Sequence, residues 1–164
     1  VEGVYAVGDL LPPPALALAH ASFAEGMLIA ETAAGQSSPP IDYAGIPRVT
    51  FSTPEVASVG LTEAQAKEQG HEVAVNKFPF NATAKGLIHG QGGMVKVVAA
   101  KDGPVLGIHL VGARVTDLVA EAMLIYNWEA LPIDVAQYIH PHPTLSEALG
   151  EAHLTLAGRP FHQL

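Results

Sequence analysis

Cysteine is absent from the 164 residues of this sequence. No disulfide framework can brace the chain, no thiol of its own can enter a redox step, and the compartment stays open. There is no run of about 20 apolar residues, so no membrane span is expected, and no signal-peptide pattern opens the chain. A GxGxxG turn, a P-loop lysine, a G-x-S-x-G elbow and internal repeats are all missing. Charge is scarce and one-sided, with 8 Lys and Arg against 16 Asp and Glu and a net charge of -8. No basic run exists to neutralise phosphates, which argues against nucleic acid as a partner; a basic protein would suit better.

An initiator Met is lacking too. Val1-Glu2-Gly3-Val4-Tyr5-Ala6-Val7 reads as a strand already under way. Such apolar runs sit inside parallel sheets, yet no βαβ partners follow this one. The expectation is therefore the C-terminal part of something longer. The length suits one domain plus a piece of another. Hydrophobic residues make up 49% of the chain and charged ones only 15%, a surplus that points to surface buried against a partner.

Chemistry concentrates near the C-terminus, in His140-Pro141-His142-Pro143-Thr144-Leu145-Ser146-Glu147. Each proline keeps the residue before it out of the α region, so both histidines are held in extended backbone. A cis bond at His142-Pro143 would make a sharp corner. Thr144 is the expected cap of a closing helix, Leu145 to about Ala157, with Glu147 in its first turn. Four readings compete for these residues. Thr144 and Glu147 fit a capping box; both histidines could be surface residues of a proline-rich turn. An H-x-H metal site lacks a third ligand at suitable spacing. The fourth is a general acid–base pair, in which a carboxylate orients an imidazole and favours its charged form.

Elsewhere, Val4 to Asp9 is expected as a strand ending in Gly8-Asp9, where Gly8 allows close approach and Asp9 can accept from a hydroxyl. An ordinary turn is the alternative. A helix opens at Ala17-Leu18-Ala19-His20 and runs to about Ala34, carrying Leu16, Phe23 and Met27 on one face and stopping at Gly35. Residues 36–47 are polar and proline-broken and read as a linker. Strands follow at Arg48–Ser52, Val56–Leu61 and Glu72–Phe78, with a capping box at Thr62 and Gln65 opening a short helix. Met94–Ala100 and Val105–Val111 form the clearest hairpin. His109 on its second strand reads as structural. Thr116 is the expected cap of a helix that is apolar nearly all round, which a second subunit would cover. Pro132 begins a short helix; His153 and His162 are expected to be solvated.

The run from His140 to Glu147 resembles the H-x-H-P-T-x-S-E signature of the dihydrolipoamide dehydrogenase family. Val4 to Asp9 resembles the second flavin-binding motif of two-dinucleotide-domain flavoproteins. Phe51 to Glu63 and Lys77-Phe78-Pro79-Phe80 resemble the family's interface domain. Glutathione reductase shares the H-P-T with a different flank, and mercuric reductase lacks the motif. The chain departs from the family's A-N-S-R at Ala82, Thr83, Ala84 and Lys85, so roles tied to that Asn or Arg are not carried over.

The resemblance implies an α+β fold: a mostly antiparallel sheet of about five strands with flanking helices, preceded by the last strand and helix of an FAD-binding domain. Residues 1–35 would end that domain, 36–47 link it, and 48–164 form the interface domain. His142 would be the active-site base and Glu147 its orienting carboxylate. Gly8, Asp9, Ala17, Leu18, Ala19 and His20 would contact FAD, the last four through a helix N-terminus near the flavin's pyrimidine oxygen. It also implies NAD as electron acceptor, a homodimer in which His142 crosses into the partner's site, and dihydrolipoamide on the acyltransferase's lipoyl domains as substrate. The acyltransferase's basic subunit-binding domain would dock on the acidic chain. The compartment would be cytoplasmic, or the mitochondrial matrix in a eukaryote. Without cysteines or GxGxxG, the chain alone is expected to be inactive. A non-catalytic dimerisation module and a sister disulfide reductase are the alternatives.

Overall fold

The structure, a computed structural model, describes residues 3–162, so Val1 and Glu2 of the expected first strand lie outside the described residues. Two compact units divide the chain, Val1–Ile46 and Pro47–Leu164.

In the first unit the expected strand is not formed. Residues 4–7 are irregular and exposed. A strand needs ladder partners for its N–H and C=O groups, and among the described residues this unit holds no other strand. Helix α1 spans Ala19–Ala33, with Leu18 as its extended N-cap, so Ala17 lies ahead of it. Its end follows the expected stop. Gly35 takes φ +75°, and its N–H and that of Gln36 return to the carbonyls of Thr32 and Glu31, the pairing that glycine at this position permits. Phe23 and Met27 point to solvent, while Ala21 and Glu25 are buried. A single 3-10 turn, Tyr43–Gly45, closes the unit.

The second unit is an α+β domain. Its strands are β1 Arg48–Thr50, β2 Glu55–Gly60, β3 Val73–Pro79, β4 Gly93–Ala100 and β5 Val105–Gly112. They form one antiparallel sheet in the order β1-β2-β5-β4-β3. Alternation decides which face is dry. Ala57, Leu110, Val95 and Phe78 make one inward row across four strands, and Val59, Ile108 and Val97 the next. The opposite face carries Ser58, His109, Lys96 and Lys77 in register.

Helices α4 Val115–Asn127, α5 Pro132–Ala136 and α6 Glu147–Leu156 cover the dry face; α2 Glu63–Glu68 and α3 Ala84–His89 are shorter. Helix α2 begins as expected, with both hydrogen bonds of the Thr62–Gln65 capping box. Helix α3 was not anticipated. It is one and a half turns capped by Thr83, whose hydroxyl accepts from the Gly86 N–H, and its exposed Leu87 and Ile88 give no amphipathic period to read. Helix α4 is not capped by Thr116. Its N-cap position is Arg114, in left-handed backbone. Thr116 lies inside the first turn and donates its N–H and hydroxyl to Glu55 Oε2 of β2, at 3.0 and 2.7 Å. A carboxylate from another strand satisfies the orphan donors that a local residue was expected to meet.

Candidate active-site corner

The peptide His142-Pro143 is cis, and the chain turns there into α6. The cap differs from expectation. Ser146 occupies the N-cap position in helical backbone, without a side-chain cap bond. Thr144 instead donates its hydroxyl to the Pro141 carbonyl at 2.6 Å. Half of the predicted box survives, since the Thr144 N–H donates to Glu147 Oε2 at 2.8 Å. The other oxygen of the same carboxylate, Oε1, lies 2.8 Å from His142 Nδ1. Glu147 therefore serves the backbone and the imidazole at once, and these two readings were never exclusive.

The pair is asymmetric in exposure, His142 at 70% and Glu147 at 18%. A carboxylate oxygen can only accept, so Nδ1 carries the proton in this bond and the basic lone pair sits on Nε2. Nε2 has no partner among the described residues. Burial alone would raise Glu147, but the Thr144 N–H and the His142 ring outweigh it and hold the carboxyl below its usual range. The result is an anchored anion behind a solvent-facing imidazole.

His140 is not its equivalent. Its ring is largely covered, and Nε2 meets Glu121 Oε1 of α4 at 2.7 Å. The Glu121 bond raises its pKa against the opposing effect of burial. The ring also packs against α6, where a Cβ on Gly150 would meet His140 Nδ1 at 2.5 Å. The two histidines thus turn to different carboxylates, on α6 and on α4. No group of three His, Cys, Asp or Glu that could hold a metal occurs among the described residues.

Two solvated histidines were expected further on, and one is wrong. His153 is fully buried. Its Nδ1 donates to the Leu149 carbonyl at 2.7 Å, Nε2 has no partner among the described residues, and burial lowers its pKa. Six consecutive residues of α6, Ala148 to His153, are buried, so the helix is covered on more than one face and the histidine goes in with it. His162 is more than half exposed but bonded, Nδ1 to Glu151 Oε1 at 2.7 Å. His109 points Nε2 at the Leu61 carbonyl, 3.0 Å away, a structural bond as expected.

In the first unit, Gly8 takes φ +86° and its carbonyl accepts from the Leu11 N–H at 2.9 Å, closing a tight turn with Asp9 exposed at its tip. Leu18, Ala19 and His20 form the start of α1, which has no side-chain cap. Sequence reasoning missed Glu25, whose carboxylate accepts from the Gly8 N–H at 2.7 Å and the Tyr43 hydroxyl at 3.0 Å. It also missed Glu121. Both are acidic residues inside helical periods, and nothing local distinguishes them from solvated ones.

The sheet, its one-sided helical layer and a His–Glu pair at the mouth of the last helix define an α+β domain with an acid–base corner. Residues 46–153 match the pyridine nucleotide-disulphide oxidoreductase dimerisation domain, and the chain belongs to that family. It is 47% identical over 161 residues to a dihydrolipoyl dehydrogenase of Bacillus subtilis, covering 97% of this chain and 34% of that protein. The mitochondrial dihydrolipoyl dehydrogenase of Pisum sativum is 41% identical, over 99% of this chain and 32% of that protein. Among solved structures, LpdA from Mycobacterium tuberculosis superposes with a TM-score of 0.83 at 24% identity, over 93% of this chain and 33% of that one. The chain thus spans about a third of the length of the relatives it matches.

Proposed function

We propose that this chain is the C-terminal third of a dihydrolipoyl dehydrogenase and supplies its acid–base pair and dimer interface. The observation that carries the reading is the His142–Glu147 bond at 2.8 Å, found in a chain 47% identical to such an enzyme. His142 Nε2 takes the proton from a dihydrolipoamide thiol, because the thiolate and not the thiol is the nucleophile. Glu147 keeps Nδ1 as the donor, keeps the ring aimed, and faces the positive charge as it forms. The disulfide attacked lies elsewhere, since this chain has no cysteine.

Residues 1–35 would close the FAD-binding domain, 36–47 link it and 48–164 form the interface domain. FAD fits the first unit: the turn at Gly8 leaves Asp9 exposed at its tip, and the N-terminus of α1 has no side-chain cap. Gly8, Asp9, Ala17, Leu18, Ala19 and His20 would hold it, and when bound it supplies the two-electron chemistry that connects to NAD. The homodimer surface is the cleft of about 510 Å³ lined by Leu124, Trp128, Val135, Tyr138, Ile139 and His140. Helix α6 is taken up by the chain's own core. Lipoyl domains and the subunit-binding domain of the acyltransferase are the partners this reading carries, in a cytoplasmic or matrix setting.

The test uses the assembled enzyme. His142→Gln removes the titratable nitrogen and should slow lipoamide-dependent NAD reduction by about 10²–10⁴-fold. Reduction of an artificial dye by NADH needs no thiol proton removed and should persist. His140→Gln should leave lipoamide turnover far closer to wild type. Equal losses at the two histidines, or none at either, would remove His142 from the mechanism and favour a non-catalytic dimerisation module.

A further inference from the structure

Glu25 is 4% exposed, and no cation pairs with it among the described residues. A buried carboxylate served only by neutral donors is a costly choice for a helix interior, where an apolar residue would pack at no such penalty. Its two oxygens are divided. Oε2 accepts from the Gly8 N–H at 2.7 Å, and Oε1 from the Tyr43 hydroxyl at 3.0 Å. Gly8 is also tight against α1 on that side, since a Cβ there would meet Ser22 Oγ at 3.3 Å. The turn that presents Asp9 is thus tied to the helix by a charge-assisted bond at the glycine that opens it.

We propose that Glu25 is the positioning residue for flavin binding: it locks the Gly8-Asp9 turn onto α1, so that Asp9 and the helix N-terminus meet the cofactor in one fixed arrangement. The proposal rests on the flavoprotein reading above. Glu25 touches no cofactor atom in this role. It acts through Gly8, and Tyr43 occupies the second oxygen without contributing to the turn.

The experiment compares variants of the assembled enzyme after flavin removal, titrating apoenzyme with FAD and following flavin fluorescence and visible absorbance. Glu25→Met fills the same space without an acceptor and leaves the Gly8 N–H unmatched. A hydrogen bond to a charged acceptor corresponds to about 10- to 100-fold in affinity, so the FAD dissociation constant should rise by that factor. Glu25→Gln keeps an amide oxygen for Gly8 and should recover most of the affinity. Tyr43→Phe should lower the apoenzyme's melting temperature while leaving FAD affinity within about twofold. Should Glu25→Met not fold, Glu25→Ala gives the same reading at lower temperature. Wild-type affinity in a folded Met or Ala variant would overturn the proposal, as would equal losses in Tyr43→Phe and Glu25→Met, the mark of a carboxylate that merely glues the unit together. Wild-type enzyme that takes up no FAD would bring down the flavoprotein reading itself, a different and separable failure.

Discussion

His153 and His140 are shifted in opposite directions although they sit near one another. Burial pushes His153 below its ordinary 6.5, only partly offset by its bond to the Leu149 carbonyl and the Glu121 charge. The unfolded chain therefore binds the extra proton first, so this group's contribution is complete above about pH 6.5 and is lost as pH falls below it. His140 runs the other way. Its pKa is raised by Glu121, so its contribution is complete below about 6.5 and lost as pH rises through the folded value. Melting temperatures recorded from about pH 8 to about pH 5 should separate them. His153→Met should flatten the acid side of the profile, and Glu121→Gln the alkaline side. An unchanged acid slope in His153→Met would mean that other groups, Glu147 with its lowered pKa among them, govern acid unfolding.

At the scale of elements, α4 and α6 hold the corner between them, one through Glu121 and the other through Gly150 and Glu147. Gly150→Ala tests that clamp. The new methyl would sit 2.5 Å from His140 Nδ1, so the ring must leave its place on α6. Overpacking of this kind costs about 1–3 kcal/mol, readable as a shift in denaturation midpoint. On the proposed function, lipoamide turnover of the assembled enzyme should fall with it, since His142 is two residues along the same extended segment. A midpoint and activity both equal to wild type would show that the corner is held by Glu147 alone. Local signals made much of this legible in advance. The Thr62–Gln65 box, the Gly35 stop, the β4–β5 hairpin and the Pro132 start are all written in short-range chemistry. Helix α3 was not, being too short for a period, and the cap of α4 was not, because its acceptor comes from β2.

For the molecule as a whole, the unspent feature is apolar surface. Ile139 is 97% and Trp128 74% exposed, and both line the same cleft. Residues of that type gain about 1.5–3 kcal/mol each on burial, so the chain should sediment as a dimer at micromolar concentration. Ile139→Asp should shift it to monomer without altering its circular dichroism, as residue 139 takes no part in the core. A monomeric wild-type chain would mean that the cleft serves something other than a second copy.

Pattern alone determined most strands, the β4–β5 hairpin and most helices, and it offered the His142–Glu147 pairing as one of four readings. Each follows from interactions within a few residues: period-two alternation, capping chemistry, and prolines that leave one extended path to a helix start. The tertiary structure decided the rest. It turned His140 inward to Glu121, sank His153 into α6's packed face, gave α4 its acceptor from Glu55 and set Glu25 under Gly8. It also left residues 4–7 without a ladder. The physical reason is common to all five. Burial and long-range hydrogen bonds depend on which surfaces meet, and the identity of one residue carries no record of the distant neighbour that will satisfy it.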